Sequence, residues 1–168
     1  MTGSLIPRTR LFGNPARAQG QISPDGRWLS WLAPEDGVLN IWVAPTGNIG
    51  AGRVITGDRK RGIRFHAWAN SSAHVLYLQD EGGTEDWHIY AVPVEGGPAR
   101  DLTPLPGVNA RIQELSLDQP DVMAVALNDR DKAWHDVYRI DIRTGERELL
   151  YENRKELAEI VLDRQLRP

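Results

Sequence analysis

A chain of 168 residues, 40% hydrophobic and 26% charged, is long enough for one domain with its own core and has an ordinary globular composition. Its net charge of −3 argues against a nucleic-acid partner held by phosphate contacts, and the lack of cysteine excludes disulfides and thiolate metal sites. No window is apolar enough to span a membrane, and the N-terminal residues lack a signal-type apolar stretch, so the expectation is a soluble, cytoplasmic protein with no membrane partner. The elements expected in chain order are all strands, because Gly and Pro recur between short apolar runs.

After a lead-in over 1–18, the first unit (about 19–57) predicts strands at Gln19–Ser23, Trp28–Ala33, Asn40–Ala44 and Arg53–Thr56. The second (about 63–104) predicts Ile63–Ala67, Val75–Gln79, Trp87–Val92 and Ala99–Thr103. The third (about 108–152) predicts Asn109–Leu115, Val122–Asn128, Asp136–Asp141 and Glu146–Glu152. Asn153 then caps a short turn or loop, and Glu159–Arg164 is expected to begin a fourth unit within 159–168. The units are echoes of one another. "NIWVAPTG", "HIYAVPVEGG" and "DVYRIDIRTG" place Trp42, Tyr90 and Tyr138 at two successive intervals of 48 residues. "RVIT", "RDLT" and "RELL" follow them in the same order.

Four-stranded antiparallel units repeating at this interval predict an all-β, partial β-propeller: three blades plus the first strand of a fourth. A blade cannot bury both faces alone, so it needs neighbours around an axis. Three blades and a fraction do not close a ring. Either further chain completes it, or a second copy does, giving about seven blades from two copies.

The stretch "LFGNPARAQGQISPDGRWLSWLAPEDGVLNIWVAPTG" resembles the start of the propeller in the prolyl oligopeptidase family of serine peptidases, in particular its acylaminoacyl-peptidase-like bacterial members. "YLQDEGGTEDWHIYAVPVEGG" and "DVYRIDIRTGE" resemble its following blades. The "SPDG" turn is shared with TolB-type propellers. The resemblance implies a propeller followed by an α/β-hydrolase domain carrying Ser, Asp and His. This sequence has no G-x-S-x-G nucleophile elbow and no strand–helix alternation, so no triad residue is carried over. What the resemblance implies is a non-catalytic propeller that gates substrate access and shapes a peptide-binding cavity. Its partners would be the parent's α/β-hydrolase domain or a second copy of the chain, and peptide substrate. The other reading is a free-standing, TolB-like protein-binding module completed by homodimerisation.

No catalytic, cofactor-binding or metal-ligating residue is expected. His66, His74, His88 and His135 read as surface or hydrogen-bonding groups, and His66 with His74 is too small a set for zinc. The distinctive polar feature is "DEGGTED", with Asp80, Glu81, Glu85 and Asp86 around a Gly82-Gly83 bend. It reads either as a solvated loop or as a site for a cationic group or a basic surface. Arg59, Lys60 and Arg61 form a basic loop between units one and two. Strand parity puts both loops at the same end of the blades, where opposite charges could pair or present a patterned docking surface. The tryptophans read as packing between blades.

Overall fold

Residues 6–8 and 16–168 are described by a computed structural model. The lead-in expected over 1–18, including its "LFGNP" run, lies mostly outside the described residues. The rest forms three four-stranded antiparallel sheets, each made from four consecutive strands. The first contains β1 (Ala18–Ile22), β2 (Trp28–Glu35), β3 (Val38–Pro45) and β4 (Arg53–Val54). The second contains β5 (His66–Trp68), β6 (His74–Gln79), β7 (His88–Pro93) and β8 (Arg100–Asp101). The third contains β9 (Ala110–Leu115), β10 (Val122–Leu127), β11 (Asp136–Asp141) and β12 (Arg147–Tyr151).

The second strand of each sheet is largely apolar on both faces; the second sheet meets a neighbouring sheet on each side, while the outer face of the first packs Trp31 and Ala33 against its own strands. Every residue of β10 is buried. Met123, Val125 and Leu127 enter a core with Leu76, Ile89 and Ala91 of the second sheet. Val122 and Ala124 point the other way, toward Leu166. Between the first two sheets, Leu32, Ile41 and Val43 meet Trp68, Val75, Tyr77 and Val92. The 48-residue repeat is a registered cross-strand position: Trp31 pairs with Trp42, Tyr77 with Tyr90, and Val125 with Tyr138.

Repeated polar contacts join one sheet to the next. Arg53 donates to the Val94 carbonyl, and Arg100, 47 residues later, donates to the Thr144 carbonyl at 3.1 Å. At the opposite edge the Gln21 amide donates to the His66 carbonyl at 2.7 Å. The Asn70 amide donates to the carbonyls of Leu115 and Ser116 at 3.1 and 2.9 Å. The first strands therefore lie side by side.

Four expected elements differ. β4 and β8 contain two residues each, because a threonine hydroxyl replaces the next backbone group in the ladder. Thr56 Oγ1 accepts the Ile41 N–H at 2.9 Å, and Thr103 Oγ1 accepts the Ile89 N–H at 3.0 Å. β5 begins at His66 rather than Ile63, since the Ile63 N–H donates to Leu39 of the first sheet at 2.8 Å. The strand expected at Glu159–Arg164 is not formed, as no described strand lies beside it to supply a ladder. Even so, the Asp163 N–H closes on the Arg167 carbonyl at 3.0 Å, much as the Ser23 N–H closes on Trp28 at 2.9 Å. Leu166 takes φ +60°, matching Gly26 at +74° and Ser72 at +61° in the corresponding turns. Asn153 caps the preceding turn as expected, accepting the Leu157 N–H at 2.9 Å. The tight Ile49–Ala51 turn has no counterpart in the sequence reading.

Candidate functional site

The β2–β3 and β6–β7 hairpin loops and the links between sheets share one end of the structure, as strand parity requires. At that end the basic and acidic loops face each other across a cavity of about 830 Å³. Arg59, Lys60 and Arg61 line one wall, and Asp80, Glu81 and Asp86 another. Glu85 does not line it. Its backbone takes φ +63°, and its carbonyl accepts the Asn109 amide at 2.8 Å.

Three of the loop charges are engaged internally. Asp80 is buried; its Oδ2 lies 3.5 Å from Arg61 Nη1 and accepts the Glu85 N–H at 3.3 Å. It therefore anchors the acidic loop. Gly83, at φ +92°, leaves the space that the Arg61 guanidinium fills, and a Cβ there would collide with it. Arg59 pairs with Asp36 on the β2–β3 hairpin. Asp58 shapes the basic loop. Burial works against its carboxylate, but N–H donors from Gly62, Lys60 and Arg59 outweigh that and hold its pKa below the ordinary value.

The floor consists of residues the sequence reading did not assign to a site: His88, Tyr90 and Asp101. His88 Nδ1 lies 2.7 Å from Asp101 Oδ2. Tyr90 stacks on Tyr77 with ring centroids 5.1 Å apart, and burial raises the pKa of both phenols. The signal was present in the register, since Tyr90 pairs with Asp101 and His88 shares its face. An aromatic floor under walls of opposite charge can hold a charged group by ion pairing and stacking. Among the described residues, no three His, Asp or Glu side chains come together as a metal site.

The remaining histidines stand apart from this cavity. His66 is wholly buried between the first two sheets, with Nε2 2.9 Å from Ser30 Oγ. His135 lines a second cavity beside the third sheet.

No family model matches the chain. Dipeptidyl aminopeptidase BIII of Pseudoxanthomonas mexicana is 48% identical over 159 residues, which is 95% of this chain and 23% of that protein. The chain thus spans about a quarter of the length of that relative. Among solved structures, the β-propeller domain of the Trilobed protease from Pyrococcus furiosus matches 82% of the chain and 44% of its own, with 18% identity and a TM-score of 0.58. A prolyl endopeptidase structure matches 87% of the chain and 23% of its own, with 13% identity and a TM-score of 0.62. TolB from Acinetobacter baumannii matches 82% of the chain and 32% of its own, with 21% identity and a TM-score of 0.52. The solved structures share the β-propeller fold, and the curated relative is similar in sequence over nearly all of this chain; the chain is a partial β-propeller that resembles one segment of a dipeptidyl aminopeptidase.

Proposed function

We propose that the chain is the non-catalytic propeller portion of a serine peptidase, gating access to a hydrolase domain and shaping its peptide-binding cavity. The observation that carries this reading is the match itself: nearly all of the chain aligns with less than a quarter of a dipeptidyl aminopeptidase. The missing G-x-S-x-G agrees with it. In this reading the partner is the α/β-hydrolase domain, the compartment is the cytoplasm, and Arg59, Lys60, Glu81 and Asp86 contact substrate or that domain.

The test has two arms. The purified chain is assayed with aminoacyl and acylated-peptide chromogenic esters, and no turnover sensitive to a serine-directed inhibitor is expected. The chain is then exchanged for the matching segment of dipeptidyl aminopeptidase BIII. The chimera should cleave a short chromogenic peptide while sparing a folded protein. A chimera that degrades folded protein as fast as short peptide would refute gating.

The TolB likeness favours a second reading, a free-standing binding module completed by a second copy. Mass measurement in solution separates them. A discrete symmetric dimer supports the module, and a monomer supports the peptidase segment.

A further inference from the structure

The cavity between the basic and acidic loops is built wholly from residues within 57–107, the stretch running from the end of the first sheet to the start of the third. Its floor belongs to the face of the second sheet that meets the first, because Tyr90 packs with Tyr77 into the core between those two sheets.

Most charges around this cavity are already matched. Arg59 pairs with Asp36, and Arg61 with the buried Asp80. Asp58 accepts the N–H groups of Lys60 and Gly62. Asp101 holds His88 Nδ1 at 2.7 Å through Oδ2 and accepts the Thr103 N–H at 2.9 Å through Oδ1. Among the described residues, the lining side chains of Lys60, Glu81 and Asp86 form no hydrogen bond or ion pair. Two free carboxylates against one ammonium leave the unmatched charge of the cavity negative. Asp86 is half-buried yet accepts no hydrogen bond, so it is open to a donor from outside. Tyr90 is half-buried beside it on the floor. Burial, then the charges of Asp101 and Glu81, raise the Tyr90 pKa, so the ring stays a neutral phenol in a negative field.

We propose that this cavity binds the side chain of an arginine in a peptide, its guanidinium on Asp86 and Glu81 and its plane against Tyr90. This rests on the reading of the chain as part of a peptidase, and it gives the substrate-contacting residues of that reading a ligand of defined chemistry. A guanidinium presents its N–H donors in a planar fork, pairs with carboxylates and stacks on an aromatic ring; an ammonium is a more strongly hydrated point charge. An anion is disfavoured, because Asp36 and Asp80 already hold Arg59 and Arg61. Lys60 opposes the charge of the ligand.

The test is calorimetric titration of the 168-residue chain near pH 7.5 with Nα-acetyl-arginine N-methylamide, whose only charge is the guanidinium, and with its citrulline, lysine and glutamate counterparts. The arginine compound should bind saturably, the uncharged citrulline isostere at least about tenfold more weakly, and the lysine compound about threefold more weakly. The glutamate compound should not bind measurably. Asp86→Asn combined with Glu81→Gln should bring arginine down to the level of citrulline, and Lys60→Gln should tighten it. Equal binding of arginine and citrulline, no saturable binding of arginine, or tighter binding of glutamate overturns the proposal on the unaltered chain alone. Lysine binding as tightly as arginine overturns the assignment to arginine. A preference for arginine over citrulline that survives the double substitution, in a chain with an unchanged melting temperature, overturns the site. The titration contains no hydrolase domain, so its failure leaves the gating test on the chimera untouched, and a failed gating test leaves this site standing.

Discussion

The hydroxyl of Ser30 on β2 and Nε2 of His66 on β5 lie 2.9 Å apart between the first two sheets, and both residues are fully enclosed. Burial lowers the His66 pKa from 6.5 to about 4. Below pH 6.5 the unfolded chain takes up a proton that the folded chain refuses, so stability is complete above that pH and falls between pH 6.5 and 4. The shift corresponds to at most about 3 kcal/mol. Urea midpoints across this range should fall for the native chain and stay flatter for His66→Gln. An equal pH slope in both would place the titration elsewhere.

Removing only the hydroxyl isolates the hydrogen bond. Ser30→Ala leaves His66 Nε2 without a partner, and Nδ1 already lacks one. A loss of about 1–3 kcal/mol is expected from the same denaturation curves. A change within error would mean that the cavity admits a water to both ring nitrogens.

Much of this fold was legible because a propeller repeats in sequence as it does in space. Trp42, Tyr90 and Tyr138 announce a registered position, and the loops bearing Arg61 and Asp80 follow from strand parity alone. His88 and Asp101 were not assigned to the site because they meet only through the pairing of two strands 13 residues apart. Nor was the inter-sheet role of Arg53 and Arg100 read, although "RVIT" and "RDLT" display it. A side chain donating into the next repeat looks like an ordinary surface charge when each repeat is read by itself. The second cavity, beside His135, was hidden for a further reason: its far wall is a segment outside any strand, held by Asn153 at Leu157 and by Gln113 at Ile160.

The Arg61–Asp80 contact depends on the bend at Gly83. An alanine there must adopt φ near +92° and displace the guanidinium. We expect Gly83→Ala to cost roughly 1–2 kcal/mol and to loosen the acidic loop. Hydrogen exchange should quicken at the Glu85 amide, which donates to Asp80. Unchanged exchange there would show that Asp80 holds the loop without Arg61.

In the third sheet Arg130 holds Asp136 with two hydrogen bonds of 2.7 Å, while Asp136 Oδ1 also accepts the Asn153 N–H at 2.7 Å. The guanidinium, followed by the Asn153 donor, keeps the buried carboxyl below its ordinary pKa of 3.8 despite the burial that opposes ionisation. The sign is that of a paired carboxylate: its stabilisation is present above pH 3.8 and lost as pH falls below it. Arg130→Ala leaves that buried charge without its cation. Because Arg130 is partly solvent-exposed, the cost should be smaller than that of breaking a fully buried pair. Asp136→Asn keeps the shape and one acceptor for Asn153, so it should cost less than Arg130→Ala. If denaturation curves show the reverse order, the carboxylate's link to Asn153, rather than its pairing with Arg130, is what secures the end of β12.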